Sequence, residues 1–206
     1  DAPTITSTVG PTITIDEGEQ TGVLTFTIAD VETAAASLTF SATSTNTTLL
    51  PTGSIVTGGS GASRTVQITP AANQSGTAEI TVTVSDGTAQ ASYVFTLVVE
   101  EVNDAPTIAL GSTGPKNTNE DTPIDVAFTI ADVDTPLGDL VVTAVSSNQA
   151  LVSNGNITLS GSNGNRTATI QPQPNASGTT NITLTVSDGD SEATVTFQLI
   201  VAPVND

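Results

Sequence analysis

The 206-residue sequence contains no cysteine, histidine, methionine or tryptophan. Disulfide bonds are therefore impossible. Thiol catalysis, histidine-based triads and zinc or haem sites built on Cys or His are also excluded. The absence of cysteine does not identify the redox compartment, because a bound metal can stabilise a secreted protein in place of disulfides.

Basic residues are almost as scarce. Three Lys and Arg residues face 21 Asp and Glu residues, which gives a net charge of −18. This balance argues against binding to nucleic acid or to an anionic membrane surface, and it favours contact with cations or a high-salt medium. Charged residues are only 12% of the chain, and Thr, Val and Ile are abundant, so the composition indicates a folded strand-rich protein rather than a disordered acidic tail. No signal peptide and no apolar run of membrane-spanning length is present, so we expect no membrane insertion in this segment.

The sequence repeats itself with a period of just over 100 residues. The segment FTIADVET, starting at Phe26, returns as FTIADVDT 102 positions later at Phe128, and VSDG returns at the same offset. Near the start the offset is 103, so a one-residue length difference lies between Glu17 and Phe26. We therefore predict two modules, 1–103 and 104–206. Because fragments of EVNDAPTI stand at both ends of the chain, we expect it to be part of a longer repeat array.

Each module has the pattern of an all-β domain. Short segments alternate apolar and polar residues, as in Ile80, Val82 and Val84 with threonines between them, and Gly-Pro, Gly-Gly and Asp-Gly turn signals separate the segments. About seven such strands per module predict two tandem seven-stranded antiparallel Greek-key sandwiches of immunoglobulin-like type, end to end.

An antiparallel path sorts the repeated acids to the ends of the modules. The turns after the second and sixth strands share the top end with the chain entry, whereas the turn after the first strand shares the bottom end with the chain exit. At the linker, the bottom of module 1 would meet the top of module 2. The residues predicted to converge there are Glu17, Asn103, Asp104, Asp132, Asp134 and Asp188.

The outer ends of the chain carry only half of this set. The predicted half-site at the top of module 1 consists of Asp1, Asp30, Glu32 and Asp86. The predicted half-site at the bottom of module 2 consists of Glu120, Asn205 and Asp206. Asn73 and Asn175 lie in the turn after the fifth strand of each module; they are expected to form turns and are kept as additional candidate ligands. Arg64 and Arg166 occur at the same position of each module, and we expect each to form a structural salt bridge or a strand-edge contact rather than to bind a partner.

Unpaired carboxylates gathered in one place repel each other, and a hard divalent cation relieves that repulsion. Calcium accepts about six to eight oxygen ligands in irregular geometry, whereas magnesium prefers tight octahedral sites and keeps its waters. The pattern therefore predicts Ca²⁺ as the bound cofactor.

The same motifs resemble those of a known family. VNDAP is similar to the linker of cadherin repeats, ADVDT resembles their Asp-x-Asp element, VSDG resembles their late acidic turn, and Asn119–Glu120 stands where their early Glu does. VNDAPT, P-x-x-N-x-S-G-T and TVSDG are similar to the cadherin-like tandem repeats of large bacterial surface adhesins. The resemblance covers both modules. It implies calcium-rigidified rods at the cell surface, with the junction residues as ligands.

One element departs from the cadherin pattern. Where cadherins carry an Asp-Arg-Glu element, this chain has PAAN and PQPN, which end at Asn73 and Asn175. An Asn carbonyl or nothing would then replace the missing Glu, so the number of ions per junction stays open.

The first function that follows is a structural extender, monomeric and extracellular, whose partners are the neighbouring repeats of the same polypeptide. A second is a module that itself binds a partner, homophilically or through a glycan. Glycan platforms normally need exposed aromatics, and the five Phe and one Tyr fall almost entirely at inward strand positions. A third is an enzyme with paired carboxylates, as in glycosidases. Because the acids recur in both modules without cleft-forming insertions, we expect no enzymatic activity.

Overall fold

The computed structural model describes residues 1–205. It divides the chain into two compact units, Asp1–Val102 and the part from Asn103 onward, here called domain 1 and domain 2. The division falls one residue before the predicted boundary. Asn103 belongs to domain 2 because its side-chain amide donates to Asp188 Oδ2 at 3.0 Å.

Within residues 1–205, sixteen strands and one short 3₁₀ helix form the two domains. In domain 1 the strands are β1 (Thr4–Ser7), β2 (Thr12–Asp16), β3 (Leu24–Ala29), β4 (Thr39–Ser44), β5 (Ile55–Ser60), β6 (Ser63–Ile68), β7 (Gly76–Ser85) and β8 (Gln90–Glu100). In domain 2 they are β9 (Thr107–Leu110), β10 (Lys116–Asn119), β11 (Ile124–Ala131), β12 (Val141–Ser146), β13 (Ile157–Ser162), β14 (Asn165–Ile170), β15 (Gly178–Ser187) and β16 (Glu192–Ala202). The 3₁₀ helix, Asn154–Asn156, precedes β13.

Each domain is a sandwich of two four-stranded sheets. The sheet orders are β1-β3-β6-β5 and β2-β8-β7-β4 in domain 1, with β9-β11-β14-β13 and β10-β16-β15-β12 in domain 2. The predicted all-β tandem sandwiches are confirmed, but each domain has eight strands rather than seven, because the opening strand changes sheets. β1 pairs with β3, and β2 then pairs in parallel with β8 in the other sheet. The Gly10-Pro11 pair marks the crossing, since proline has no N–H to give to a continuing ladder.

The two domains match residue by residue through their strand pairing. Thr4 pairs with Ala29 as Thr107 pairs with Ala131, and Leu24 pairs with Val66 as Val126 pairs with Ala168. The offset between equivalent residues is therefore 103 before β3 and 102 from the start of β3 onward, as the repeat predicted. Equivalent residues of the two domains can be compared directly on this basis.

The predicted inward positions form the cores. Phe26, Ile80, Val82 and Leu97 are buried in domain 1, and their counterparts are buried in domain 2. Alternation alone did not identify two buried pairs in the loops after β4 and β12. These pairs are Leu49 with Leu50 and Leu151 with Val152. A loop residue has no strand periodicity, so only the tertiary fold shows that these side chains pack into the core of each domain.

A glycine sets how closely β13 approaches the strand that carries Arg166. Gly161 lies opposite Arg166 and has a φ of 106°. A Cβ at this position would lie 2.4 Å from the Asn165 carbonyl oxygen and 2.9 Å from Arg166 Cα. Only glycine avoids both the clash and the strained backbone.

We expect Gly161→Ala to destabilise the protein by about 1 to 3 kcal/mol, through left-handed backbone strain and the forced separation of β13 from β14. Urea unfolding followed by circular dichroism measures the change. Gly138→Ala is the matched control, because its Cβ would meet no heavy atom within 4 Å. Equal unfolding midpoints for the two variants would contradict the role assigned to Gly161.

Candidate metal-binding site

The acidic turns of each domain collect at one end of its sandwich. β1 starts opposite the last residue of β3, through Thr4 and Ala29, and β4 starts opposite the last residue of β7, through Thr39 and Ser85. Domain 2 repeats both pairings. Three segments therefore share one end of each domain. They are the chain entry, the loop after β3 or β11, and the hairpin turn after β7 or β15. We call this end the acidic end, as the predicted chain path required.

An aspartate fixes the start of the loop at each acidic end. Asp30 Oδ1 accepts from the backbone N–H groups of Glu32 and Thr33 at 2.9 and 2.6 Å. Asp132 Oδ1 accepts from Asp134 and Thr135 at 2.9 and 2.7 Å. This arrangement is the side-chain turn that Asp forms after a strand has ended. It fixes the orientation of the carboxylate, so the second oxygen has a defined direction.

The second oxygen of each aspartate is buried. Asp30 Oδ2 and Asp132 Oδ2 have no hydrogen-bond partner in the protein. Burying a charged oxygen without a partner is costly unless water or a cation satisfies it. The same atom is left in this state in both domains, so the feature belongs to the repeat and not to one accidental packing.

A second aspartate closes the hairpin turn at the same end. Asp188 Oδ1 accepts from the N–H groups of Asp190 and Ser191 at 2.7 and 2.6 Å, and Asp86 Oδ1 accepts from those of Thr88 and Ala89. The Ser191 N–H and then the Asn103 amide hold the pKa of Asp188 below its usual value of 3.8. The N–H groups of Ala89 and Thr88 lower the pKa of Asp86 in the same way. Both carboxylates are thereby held in the ionised form.

In domain 2 the chain entry joins these turns directly. Asn103 Nδ2 donates to Asp188 Oδ2 at 3.0 Å, and the Asp104 N–H donates to Asp134 Oδ2 at 2.6 Å. The five predicted ligands of domain 2 are therefore brought together at one end. They are Asn103, Asp104, Asp132, Asp134 and Asp188.

Domain 1 has the equivalent arrangement around the Asp1 amine. This amine donates to Glu32 Oε2 at 2.9 Å. The hydrogen bond and charge of Glu32, with smaller contributions from Asp30 and Asp86, raise the pKa of the amine above its ordinary value of 8.0. The four predicted residues of the domain 1 half-site thus lie near one another. The amine to Glu32 contact is the only ion pair within residues 1–205, and its high exposure limits its contribution to stability.

The two arginines hold the backbone of the acidic loops through hydrogen bonds to loop carbonyl oxygens. Arg64 Nη2 donates to the carbonyl oxygens of Ala35 and Leu38 at 3.0 and 3.4 Å, and Arg166 Nη2 donates to that of Leu137 at 3.0 Å. The contacts of both arginines are structural, as expected, but their partners are loop carbonyl oxygens and not the carboxylates of the expected salt bridge. The sequence indicated a structural role because an arginine stands at the same position of both modules. Lys116, the third cation, donates to Ser112, so no Lys or Arg side chain neutralises an acid among the described residues.

The opposite end of each domain holds one glutamate against the chain exit. Glu17 Oε1 accepts from the N–H of Val102 at 2.8 Å, and Glu120 Oε1 accepts from that of Val204 at 2.6 Å. The backbone N–H groups of Glu17 and Glu120 donate to carbonyls near the end of the last strand. The predicted position of Glu17 and Glu120 at the chain exit is therefore confirmed within each domain.

The remaining predicted ligands have simpler settings. Asn73 and Asn175 adopt left-handed backbone conformations, with φ of 55° and 54°, so both are turn formers. Asn205 is exposed at the exit of domain 2. Asp206 lies outside the described residues. Within residues 1–205, no three Asp or Glu side chains already stand together in the geometry of a metal site.

The sequence model of the bacterial Ig domain matches residues 1–98 and again residues 103–200. The chain belongs to the bacterial Ig domain family. Tandem Ig-like repeats are therefore confirmed, with one Ig domain in each of the two units, while the specific likeness to cadherin stays a prediction. No curated protein matches the chain significantly. Within residues 1–205, no helix is long and apolar enough to cross a membrane.

Several solved structures resemble this pair of bacterial Ig domains. A two-domain titin fragment in complex with telethonin is 17% identical, with a TM-score of 0.42 over 100% of this chain and 98% of that one. A three-domain titin fragment is 14% identical, with a TM-score of 0.49 over 98% of this chain and 66% of that one. An endo-fucoidan hydrolase is 15% identical, with a TM-score of 0.38; the match covers 98% of this chain and 29% of the hydrolase. These likenesses are too distant to carry a functional argument.

Low pH should reduce the stability of the folded Ig domains by protonating Asp86 and Asp188 in their hairpin turns. Because the pKa values of Asp86 and Asp188 are lowered in the folded state, their stabilising effect is present above the usual value of 3.8 and is lost as pH falls through the lowered pKa. In calcium-free buffer we expect Asp188→Asn to reduce the fall of the melting temperature between about pH 5 and pH 2. Differential scanning calorimetry measures this, with Asp190→Asn as the control. The same pH slope in both variants would contradict the assignment.

Proposed function

We propose that the chain is a pair of calcium-rigidified extender repeats from a large cell-surface or secreted adhesin. The observation that carries the proposal is the buried second oxygen of Asp30 and Asp132, which has no protein partner at an end where no side-chain cation compensates the acids. A carboxylate held in this way is a ready ligand for a hard cation.

The donor chemistry of the acidic end suits calcium. Domain 2 offers the carboxylates of Asp132, Asp134 and Asp188 together with the oxygens of Asn103 and Asp104, and every donor is oxygen. Calcium prefers such mixed carboxylate and carbonyl sets and tolerates irregular geometry. When bound, the cation would supply the positive charge that the chain itself lacks at this end.

Binding would exchange some of the present hydrogen bonds for metal ligation. Asp134 Oδ2 now accepts from Asp104, and Asp188 Oδ2 accepts from Asn103. The Oδ1 contacts of Asp132 and Asp188 to their own loops could remain, because they use the other oxygen of each carboxylate. The turns that position Asp132 and Asp188 would therefore be kept when the second oxygen of each carboxylate binds the cation.

Glu17 is the proposed ligand from the preceding domain. It is anchored to the N–H of Val102, the residue that comes immediately before Asn103 in the sequence. Glu120 repeats this anchorage at Val204, immediately before Asn205. An acid held at the end of each domain suits a joint that recurs with every repeat, in which bound calcium would stiffen the linker between successive domains.

Repetition favours an extender over an enzyme or a partner-binding module. Both domains carry the same acidic end, whereas a catalytic centre is needed once per chain. The aromatic residues pack at inward positions, so neither domain presents an aromatic platform for a glycan. We therefore propose that the repeats are non-enzymatic and monomeric, with an extracellular location that follows from the adhesin assignment.

Calcium should raise the melting temperature of the two-domain chain. Binding to the native state alone adds about 2.7 kcal/mol when free calcium is about 100 times its dissociation constant. Asp132→Asn should abolish most of this response, because its Oδ1 can still accept the loop N–H groups while the charged Oδ2 is lost. Calorimetry with calcium and with excess chelator measures the effect.

Asp139→Asn is the matched control for this experiment, since this substitution removes the same charge from an exposed position in the same loop. An unchanged melting temperature in chelator would remove the basis of the metal proposal. Equal loss of response in both variants would indicate general charge relief instead of coordination.

Calcium should also bind in at least two affinity classes. The proposed central site draws ligands from two domains, whereas each outer end of this chain offers half a set and more water, which lowers affinity. Isothermal titration calorimetry should resolve a tight and a weak class. Small-angle scattering should show the spread of the maximum dimension narrowing as the tight class fills. Identical scattering with calcium and with chelator would contradict a metal-controlled joint.

A further inference from the structure

Domain 2 contains an apolar pocket beneath the crossover from β9 to β10. Its volume is about 380 Å³, and its walls include Leu110, Thr113, Pro115, Val195 and Phe197. A volume near 300 Å³ is the lower limit of ordinary ligand pockets, so this one suits a single ring or side chain. The pocket lies on the flank of the sandwich, and the proposed calcium chemistry does not use it.

In domain 1 a tyrosine ring occupies the corresponding place. Tyr93 pairs with Val82 as Val195 pairs with Leu184, so Tyr93 and Val195 are equivalent. The Tyr93 ring meets Phe26 edge-on, with centroids 5.7 Å apart and an interplanar angle of 73°. Its hydroxyl donates to the carbonyl oxygen of Val9, in the crossover between β1 and β2. The fold therefore accommodates a phenol ring at this position.

Domain 2 lacks the ring and compensates only partly. Val195 is much smaller than tyrosine, and Leu110 takes the place of Ser7, adding an apolar wall. The carbonyl of Ser112, equivalent to that of Val9, accepts from Lys116 Nζ at 2.7 Å. A carbonyl oxygen has two lone pairs, so Ser112 retains an acceptor site for a hydroxyl.

We infer that this pocket binds the tyrosine side chain of a partner polypeptide. A ring there would take the position that Tyr93 holds in domain 1, against Leu110, Val195 and Phe197 and beside the crossover. Aromatic anchors that enter apolar pockets dominate the affinity of many interfaces. The six aromatic side chains of this chain all lie at inward positions, so a second copy of it has no free ring to offer.

Methyl NMR spectra of the two-domain chain titrated with N-acetyl-tyrosinamide test the inference. We expect saturable shifts of the Leu110 and Val195 methyl groups, with no shift of Ile5 or Val9 in domain 1. N-acetyl-leucinamide should leave all four unchanged. Val195→Tyr combined with Leu110→Ser copies the domain 1 arrangement, fills the pocket and should abolish the response.

The reverse exchange is an independent check if the first variant folds poorly. Tyr93→Val with Ser7→Leu should open a pocket in domain 1 and add saturable shifts at Val9. The inference is overturned if tyrosinamide produces no saturable shift, if leucinamide shifts the same methyl groups equally, or if the filled variant still responds. A reverse variant that folds but gains no response would also overturn it.

Discussion

The candidate site depends on how one aspartate is held. At the ends of β3 and β11, the Oδ1 atom of Asp30 or Asp132 accepts hydrogen bonds from two backbone N–H groups of the loop that follows. Those bonds fix the carboxylate and leave its second oxygen buried without a protein partner. A free surface aspartate would turn toward water, but this one cannot do so without giving up the turn that shapes the loop.

The distribution of basic residues makes this constraint stronger. With three Lys and Arg residues against 21 acids, the chain could place a cation beside only a few carboxylates, and it places none there. Arg64 and Arg166 instead hold loop carbonyls behind the acidic end. The arginines therefore stabilise the backbone that presents the acids and form no ion pair with an acid within residues 1–205.

Sequence periodicity predicted the repeat, the sandwich fold and the grouping of the acids at the domain ends, because strand alternation and antiparallel direction are local rules that carry over to a whole sheet. It missed the split of the opening strand, although Gly10-Pro11 marked it, and it missed the buried pair Leu49 and Leu50, which has no strand period. The partnerless oxygen of Asp132 could not be predicted either. Its state depends on three-dimensional burial and on which of two oxygens the loop uses.

The two domains share the aspartate turn of the acidic end and differ at positions around the pocket of domain 2. Asp30 and Asp132 make the same contacts, whereas Tyr93 corresponds to Val195 and Ile13 corresponds to Lys116. The proposed joint would require the same acidic end on every domain, because each domain would join the next through the same ligands. The pocket of domain 2 uses none of the residues of that proposed joint. The exchange of the Tyr93 ring for a pocket at Val195 therefore leaves the proposed ligands unchanged, so the two proposals concern separate parts of the domain and can be tested independently.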